Sequence, residues 1–193
     1  SKASAELIFN GYKNSFFMRD NSNVKACTTR AGNVIGGGDW ALNRIVPDCF
    51  RSWSKQEEVI IRNPEATRPW QHVLDPLNGY LALACNLADN KELNGEAFNF
   101  GPETSYSVST LVENLSNYYD GSRWNIEKEA NRPHESKLLS LNCEKSHKIL
   151  NIRQKIGFEM MSEWTSTWYK NFYNKNKIST TTVNQIEEFM NLD

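Results

Sequence analysis

Short apolar strands alternate with helical periods through the first hundred residues, and that alternation restricts the fold more than any other feature. Val24 to Thr29 reads as a strand, and "NRIVPDCFRSWSKQ" as a helix interrupted early by Pro47. "EVIIRNP" is a second strand ended by its Asn-Pro, and "HVLDPLNGYLALACNLADN" carries the strongest helical period, with Pro76 near its start where a missing N–H costs little. "EAFNFGP" is a third strand, closed by Gly-Pro. Strand and helix in turn make an α/β fold with parallel strands. Ahead of them, residues 2–19 place apolar side chains at three- and four-residue steps, which predicts one helix with a buried face.

The second half is less regular. "SVSTLVENLSNYYDG" is a helix between a serine and a glycine, "WNIEKEA" and Leu138 to Leu141 read as short strands, and "CEKSHKILN", "MSEWTSTWYKNFYNKN" and "TVNQIEEFMN" read as closing helices. The expected architecture is therefore part of a parallel sheet within residues 1–100, interleaved with segments of a smaller mixed α+β lobe formed mainly by residues 101–193.

At 193 residues the chain can bury a core of its own, and 39% hydrophobic with 23% charged residues is globular composition. No apolar run approaches the roughly 18 residues of a membrane span. A net charge of −1 offers nucleic acid no global positive field, so an anion must be held by a local cluster. Four cysteines without CxxC or Cys/His spacing predict neither zinc nor a disulfide framework, and a reducing, cytoplasmic setting. There is no G-x-G-x-x-G turn, so the chain shows no dinucleotide pyrophosphate site of its own.

Two stretches can carry chemistry. In "TTRAGNVIGGGDW" three consecutive glycines follow a strand at the end where open α/β sheets hold ligands. They either admit a ligand to the backbone or only turn the chain, and Asn33 beside them can donate and accept. In "RNPEATRPWQHVLD" Arg68 precedes the best helix, and Arg132 and His134 stand in a similar loop, "NRPHESKLL". A guanidinium fork suits a diphosphate; the alternative is a pair of solvated arginines. His72 is read at a helix start, His147 as a solvent-facing helix residue, and the aromatic spacing of "SEWTSTWYKNFY" as a core stripe. No metal-ligand spacing occurs.

Taken together, "RAGNVIGGGDWALNRIVPD", "VIIRNPEATRPWQHVLDPLNGYLALA", "EAFNFGP" and "PHESKLLSLN" resemble the C-terminal portion of the extended short-chain dehydrogenase/reductase family, in its NAD-dependent epimerase/dehydratase branch. "SKASAE" resembles the tail of that family's Tyr-x-x-x-Lys motif, which makes Lys2 the catalytic and NAD-ribose-binding lysine and leaves the tyrosine and the NAD loop upstream of this sequence. The resemblance implies a Rossmann-type fold and a nucleotide-sugar substrate, CDP-glucose, converted to a 4-dehydro-6-deoxy sugar for bacterial lipopolysaccharide O-antigen by a homo-oligomeric enzyme. This portion alone would then be inactive. Carried onto this sequence, Asn33, Arg68, Arg132 and His134 hold the diphosphate and sugar, and Arg44 and Ile45 lie against the base. "RPHE" lacks the glycine that relatives with other nucleotides have between proline and histidine, and Asn142 replaces an expected aspartate. A sibling epimerase, reductase or decarboxylase, and a nucleotide-sugar binding module without chemistry, are the competing expectations.

Overall fold

The computed structural model describes residues 2–127 and 139–192. Strand β1 (Thr28–Ala31) runs parallel to β6 (Ala97–Phe100), and β2 (Asn33–Ile35) runs parallel to β5 (Trp70–His72). Gly32 separates β1 from β2, and there the chain changes partner. Its amide donates to Phe100 O at 3.1 Å, and the next amide, of Asn33, donates to Pro69 O at 2.9 Å. A Cβ on Gly32 would stand 2.5 Å from that same Pro69 oxygen, so only glycine allows the exchange. β3 (Val59–Ile61) pairs in parallel with β8 (Trp124–Ile126), and β4 (Thr67–Arg68) pairs antiparallel with β7 (Tyr106–Ser107).

Helix α1 (Lys2–Tyr12) continues into a π-helical turn, Lys13–Phe17. α2 (Ile45–Trp53) takes Pro47 in its first turn, and α3 (Leu74–Asp89) crosses from β5 towards β6. α4 (Val108–Ser116) is capped by Ser107, whose hydroxyl accepts from Thr110 N at 3.0 Å. α5 (Glu144–Leu150), α6 (Phe158–Tyr173) and α7 (Ile178–Met190) complete the order. Leu139 to Leu141 form no strand; Leu138 lies outside the described residues.

Two cores hold these elements. The larger joins α2, α4 and α6, with Phe50 fully buried and stacked on Tyr169 at 4.3 Å between ring centroids. The smaller sets Leu83 and Leu87 of α3 and Leu150 of α5 against Phe98 and Phe100 of β6. The aromatic stripe of α6 is core-facing as its spacing requires, with Trp164 and Tyr169 buried.

The expected buried face of α1 is not there, since none of its residues is buried. The side meeting the sheet is made of Glu6, Phe9 and Lys13, each half-buried. Glu6 accepts from Arg30 Nε at 2.8 Å, and Lys13 Nζ donates to Gly95 O at 2.9 Å. The apolar stripe of Ile8, Tyr12 and Phe16 faces outwards, each more than half exposed.

Candidate functional site

The partner exchange at Gly32 sets the geometry. Asn33 pairs in register with Trp70, and Arg68 lies two residues before Trp70, on the other side of the Pro69 whose carbonyl holds the Asn33 amide. At a strand rise of about 3.3 Å per residue, the Arg68 backbone lies roughly 7 Å along the chain from Asn33's register partner, within the reach of a guanidinium. Asn33 and Arg68 therefore share one neighbourhood at the carboxyl end of β1. Both are half-buried, and Arg68 Nη1 donates to Thr67 O at 2.8 Å.

Lys2 lies at the same end. α1 descends antiparallel to β1: Lys13 reaches Gly95, just ahead of β6, while Glu6 reaches Thr28 and Arg30 in β1. One turn earlier, on the face of Glu6, Lys2 is carried towards the carboxyl ends of the strands, exposed at the head of the helix. Arg44 stands just before α2 with an exposed side chain that makes no capping bond, its Nη1 3.2 Å from Asp39 Oδ2. Ile45 opens that helix half-buried, packed on the larger core. Arg132 and His134 lie outside the described residues.

The glycine run does something the sequence did not reveal. A Cβ on Gly37 would stand 2.0 Å from Cδ2 of Trp168, and Gly38 also faces that indole. The loop is seated on α6 rather than merely turned. Tyr169 Oη donates to Asp39 O at 2.6 Å, and the Trp40 ring sits 4.6 Å from that of Phe172.

"WQHVLD" conceals three buried polar side chains. Gln71 Nε2 donates to Phe100 O at 2.9 Å. His72, 2% exposed, closes β5 at the start of α3, where its Nδ1 accepts from Leu74 N at 3.4 Å while Nε2 is unpartnered; burial pushes its pKa down to about 4. Asp75 is 6% exposed; its Oδ1 accepts from Lys155 N at 2.8 Å, and burial pushes its pKa up to about 6.

Beside Trp70 lies a cleft of about 290 Å³. Its wall includes Trp70, Tyr106 and Phe158, and its rim Glu103, His147 and Arg153. His147 corrects the sequence reading: its side chain is only 13% exposed and turns to Glu103, 3.9 Å away, rather than to solvent. Neither Asn33 nor Arg68 lines this cleft, although their register partners Trp70 and Tyr106 do. Among the described residues no three His, Cys, Asp or Glu side chains gather as metal ligands, and no helix is long and apolar enough to cross a membrane.

No family model matches the chain. It is 37% identical over 196 aligned positions, 98% of its length, to CDP-glucose 4,6-dehydratase of Salmonella typhimurium, of which it covers 54%. Among solved structures, UDP-glucuronic acid 4-epimerase from Bacillus cereus, in complex with UDP-glucuronic acid and NAD, superposes with a TM-score of 0.72 at 18% identity, covering 89% of this chain and 52% of that one. dTDP-glucose 4,6-dehydratase from Bacillus anthracis, in complex with NAD, gives 0.69 at 20% identity, covering 91% and 52%. The chain thus spans about half the length of the relatives it matches. Its α/β fold, with parallel strand pairs, is that of the Rossmann-type epimerases and dehydratases.

Proposed function

We propose that this chain supplies the nucleotide-sugar-binding portion of an NAD-dependent lyase that converts CDP-glucose to CDP-4-dehydro-6-deoxyglucose. The observation that carries this reading is the 37% identity, sustained over 98% of the chain, to a CDP-glucose 4,6-dehydratase. The reaction oxidises C4 of the glucosyl ring, loses water across C5–C6 and returns hydride to C6. NAD, when bound, supplies the hydride acceptor and donor. Toward that cofactor this chain offers Lys2, exposed at the carboxyl end of the parallel strands. An ammonium there holds the nicotinamide ribose and favours the phenolate of a tyrosine base, whose ordinary pKa of about 10 is too high for neutral pH. The product feeds deoxysugar synthesis for a bacterial surface polysaccharide, in the cytoplasm.

Arg68 and Asn33, together at the partner exchange, are the diphosphate grip in this reading, with Arg132 and His134 beside them and Arg44 and Ile45 against the base. Losing one charge-assisted hydrogen bond costs about 1.5–3 kcal/mol, or roughly ten- to a hundredfold in affinity. Isothermal titration of CDP-glucose into Arg68→Ala is expected to read that loss, with UDP-glucose and dTDP-glucose competing poorly against the unsubstituted chain. Equal affinity in the variant removes Arg68 from the site.

The outward stripe of α1 supports a homo-oligomer. Ile8, Tyr12 and Phe16 lie exposed beside the face that meets the sheet, and two copies packed about a twofold axis would cover both stripes. Light scattering should report a dimer that Ile8→Glu with Tyr12→Glu converts to a folded monomer, because both residues are exposed in the single chain. A monomer before substitution refutes the pairing.

A further inference from the structure

The cleft beside Trp70 is used by no residue assigned above, and its chemistry is distinctive. At about 290 Å³ it lies at the lower end of small-molecule pockets. It has room for one sugar ring, but not for a base, a diphosphate and a sugar together. One wall is apolar: Trp70 and Phe158 are each 6% exposed, and Tyr106 stacks on Phe158 at 3.9 Å. The rim is polar but charge-compensated, because Arg153 Nη1 lies 3.4 Å from Glu103 Oε1. It therefore presents exposed donors and acceptors without selecting a net charge.

A second observation points to a ligand. Next to the cleft, and sharing Gly101, His147, Arg153 and Gln154 with it, is a hollow of about 10 Å³, the size of one water. Asp75 lines it with Oδ2 buried and without a donor. An acceptor that deep is costly to leave unmet. A hydroxyl at the cleft floor, or one water held by it, would meet it.

We propose that this cleft is a second ligand site, for the ring of a free pyranose monosaccharide. The ring's C–H face lies on the aromatic wall, and its hydroxyls bond Glu103, Arg153 and the Asp75 hollow. The proposal goes beyond the nucleotide-sugar site and does not depend on it, since Asn33 and Arg68 do not line the cleft.

The ¹⁵N-labelled chain titrated with D-glucose tests it, read at the Trp70 indole N–H, which donates to Tyr106 O at 3.0 Å, and at the amides of Gly101 and Gly157. Saturable shifts confined to these signals are expected. Gly157 has an ordinary φ of −67° and nothing within 4 Å of a Cβ, so Gly157→Leu fills the cleft without strain and should abolish the shifts. Glu103→Gln, at an exposed position, should weaken them about tenfold, the worth of one hydrogen bond to a charged group. Shifts that grow without saturating, or that survive Gly157→Leu in a folded variant, overturn the proposal. CDP-glucose forms the second arm. If it displaces D-glucose, the cleft is merely the sugar end of the nucleotide-sugar site and the proposal fails; simultaneous binding supports it. Arg68→Ala separates the two readings, because it should weaken CDP-glucose and leave the D-glucose shifts in place.

Discussion

Gly37→Ala is expected to lower the melting temperature by about 5–10 °C. Overpacking by one methyl costs about 1–3 kcal/mol, and a chain of this size loses about 2–4 °C per kcal/mol. The upper end applies because the atom that the new Cβ meets, at 2.0 Å, is Cδ2 of Trp168, the near end of a rigid ring. That ring is also held from its far side: it stacks on Phe172 with 6° between planes, and its Nε1 donates to Thr182 Oγ1 at 3.0 Å. The loop must therefore lift off α6, which breaks the Tyr169–Asp39 hydrogen bond and moves Trp40 out of its aromatic nest. Urea unfolding of Gly37→Ala, Trp168→Ala and the double variant measures the coupling directly. In the Trp168→Ala background the added methyl should cost little, because its obstacle is gone. If the glycines served a ligand instead, Gly37→Ala would spare stability and weaken only binding, and that pattern would reject the seating on α6.

The same loop marks where sequence reasoning stops. Three glycines in a row state that something approaches the backbone closely. They do not state what, and Trp168 belongs to a helix near the other end of the chain. The α/β class, the parallel strands and the helices of "LDPLNGYLALACNLAD" and "VSTLVENLS" were legible because period and punctuation are local properties. The inner face of α1 was not. Its helix carries an apolar stripe through Ile8 and Tyr12 and a mixed stripe through Glu6, Phe9 and Lys13, and periodicity favours the apolar one. The sheet takes the mixed stripe because Arg30 and Gly95 offer it a carboxylate partner and a carbonyl. Arg68 and Asn33 were singled out by residue type, but their nearness comes from the β2–β5 register, which no local pattern encodes. The cleft was invisible for the same reason: its walls come from β5, the loop after β6, α5 and the start of α6.

Stability should stay nearly level from pH 6.5 to 4.5 only because two buried groups oppose each other, and single substitutions should expose each slope. His72, neutral in the core and pushed down to about 4, adds stability that is complete above its unfolded value near 6.5 and drains away as pH falls towards 4. Asp75, pushed up to about 6, has the reverse sign: its contribution is greatest below the unfolded value near 3.8 and is lost as pH rises through 6. Each pH unit of difference is worth 1.36 kcal/mol, so between pH 6.5 and 4.5 each group moves stability by about 2 kcal/mol, in opposite directions. Asp75→Asn should therefore lose about that much on acidification, while His72→Gln should gain it. The carboxylates of Glu6 and Glu96, held below their ordinary value by Arg30 and Lys145, add a loss that begins only at the acid end of this window and is common to all the variants, so it cancels in the comparison. The readout is the slope of unfolding free energy against pH, which an overall loss of stability in either variant leaves intact. Parallel profiles for Asp75→Asn and the unsubstituted chain would mean that Asp75 titrates alike in both states, and that the carboxylate under the Trp70 cleft already has a donor.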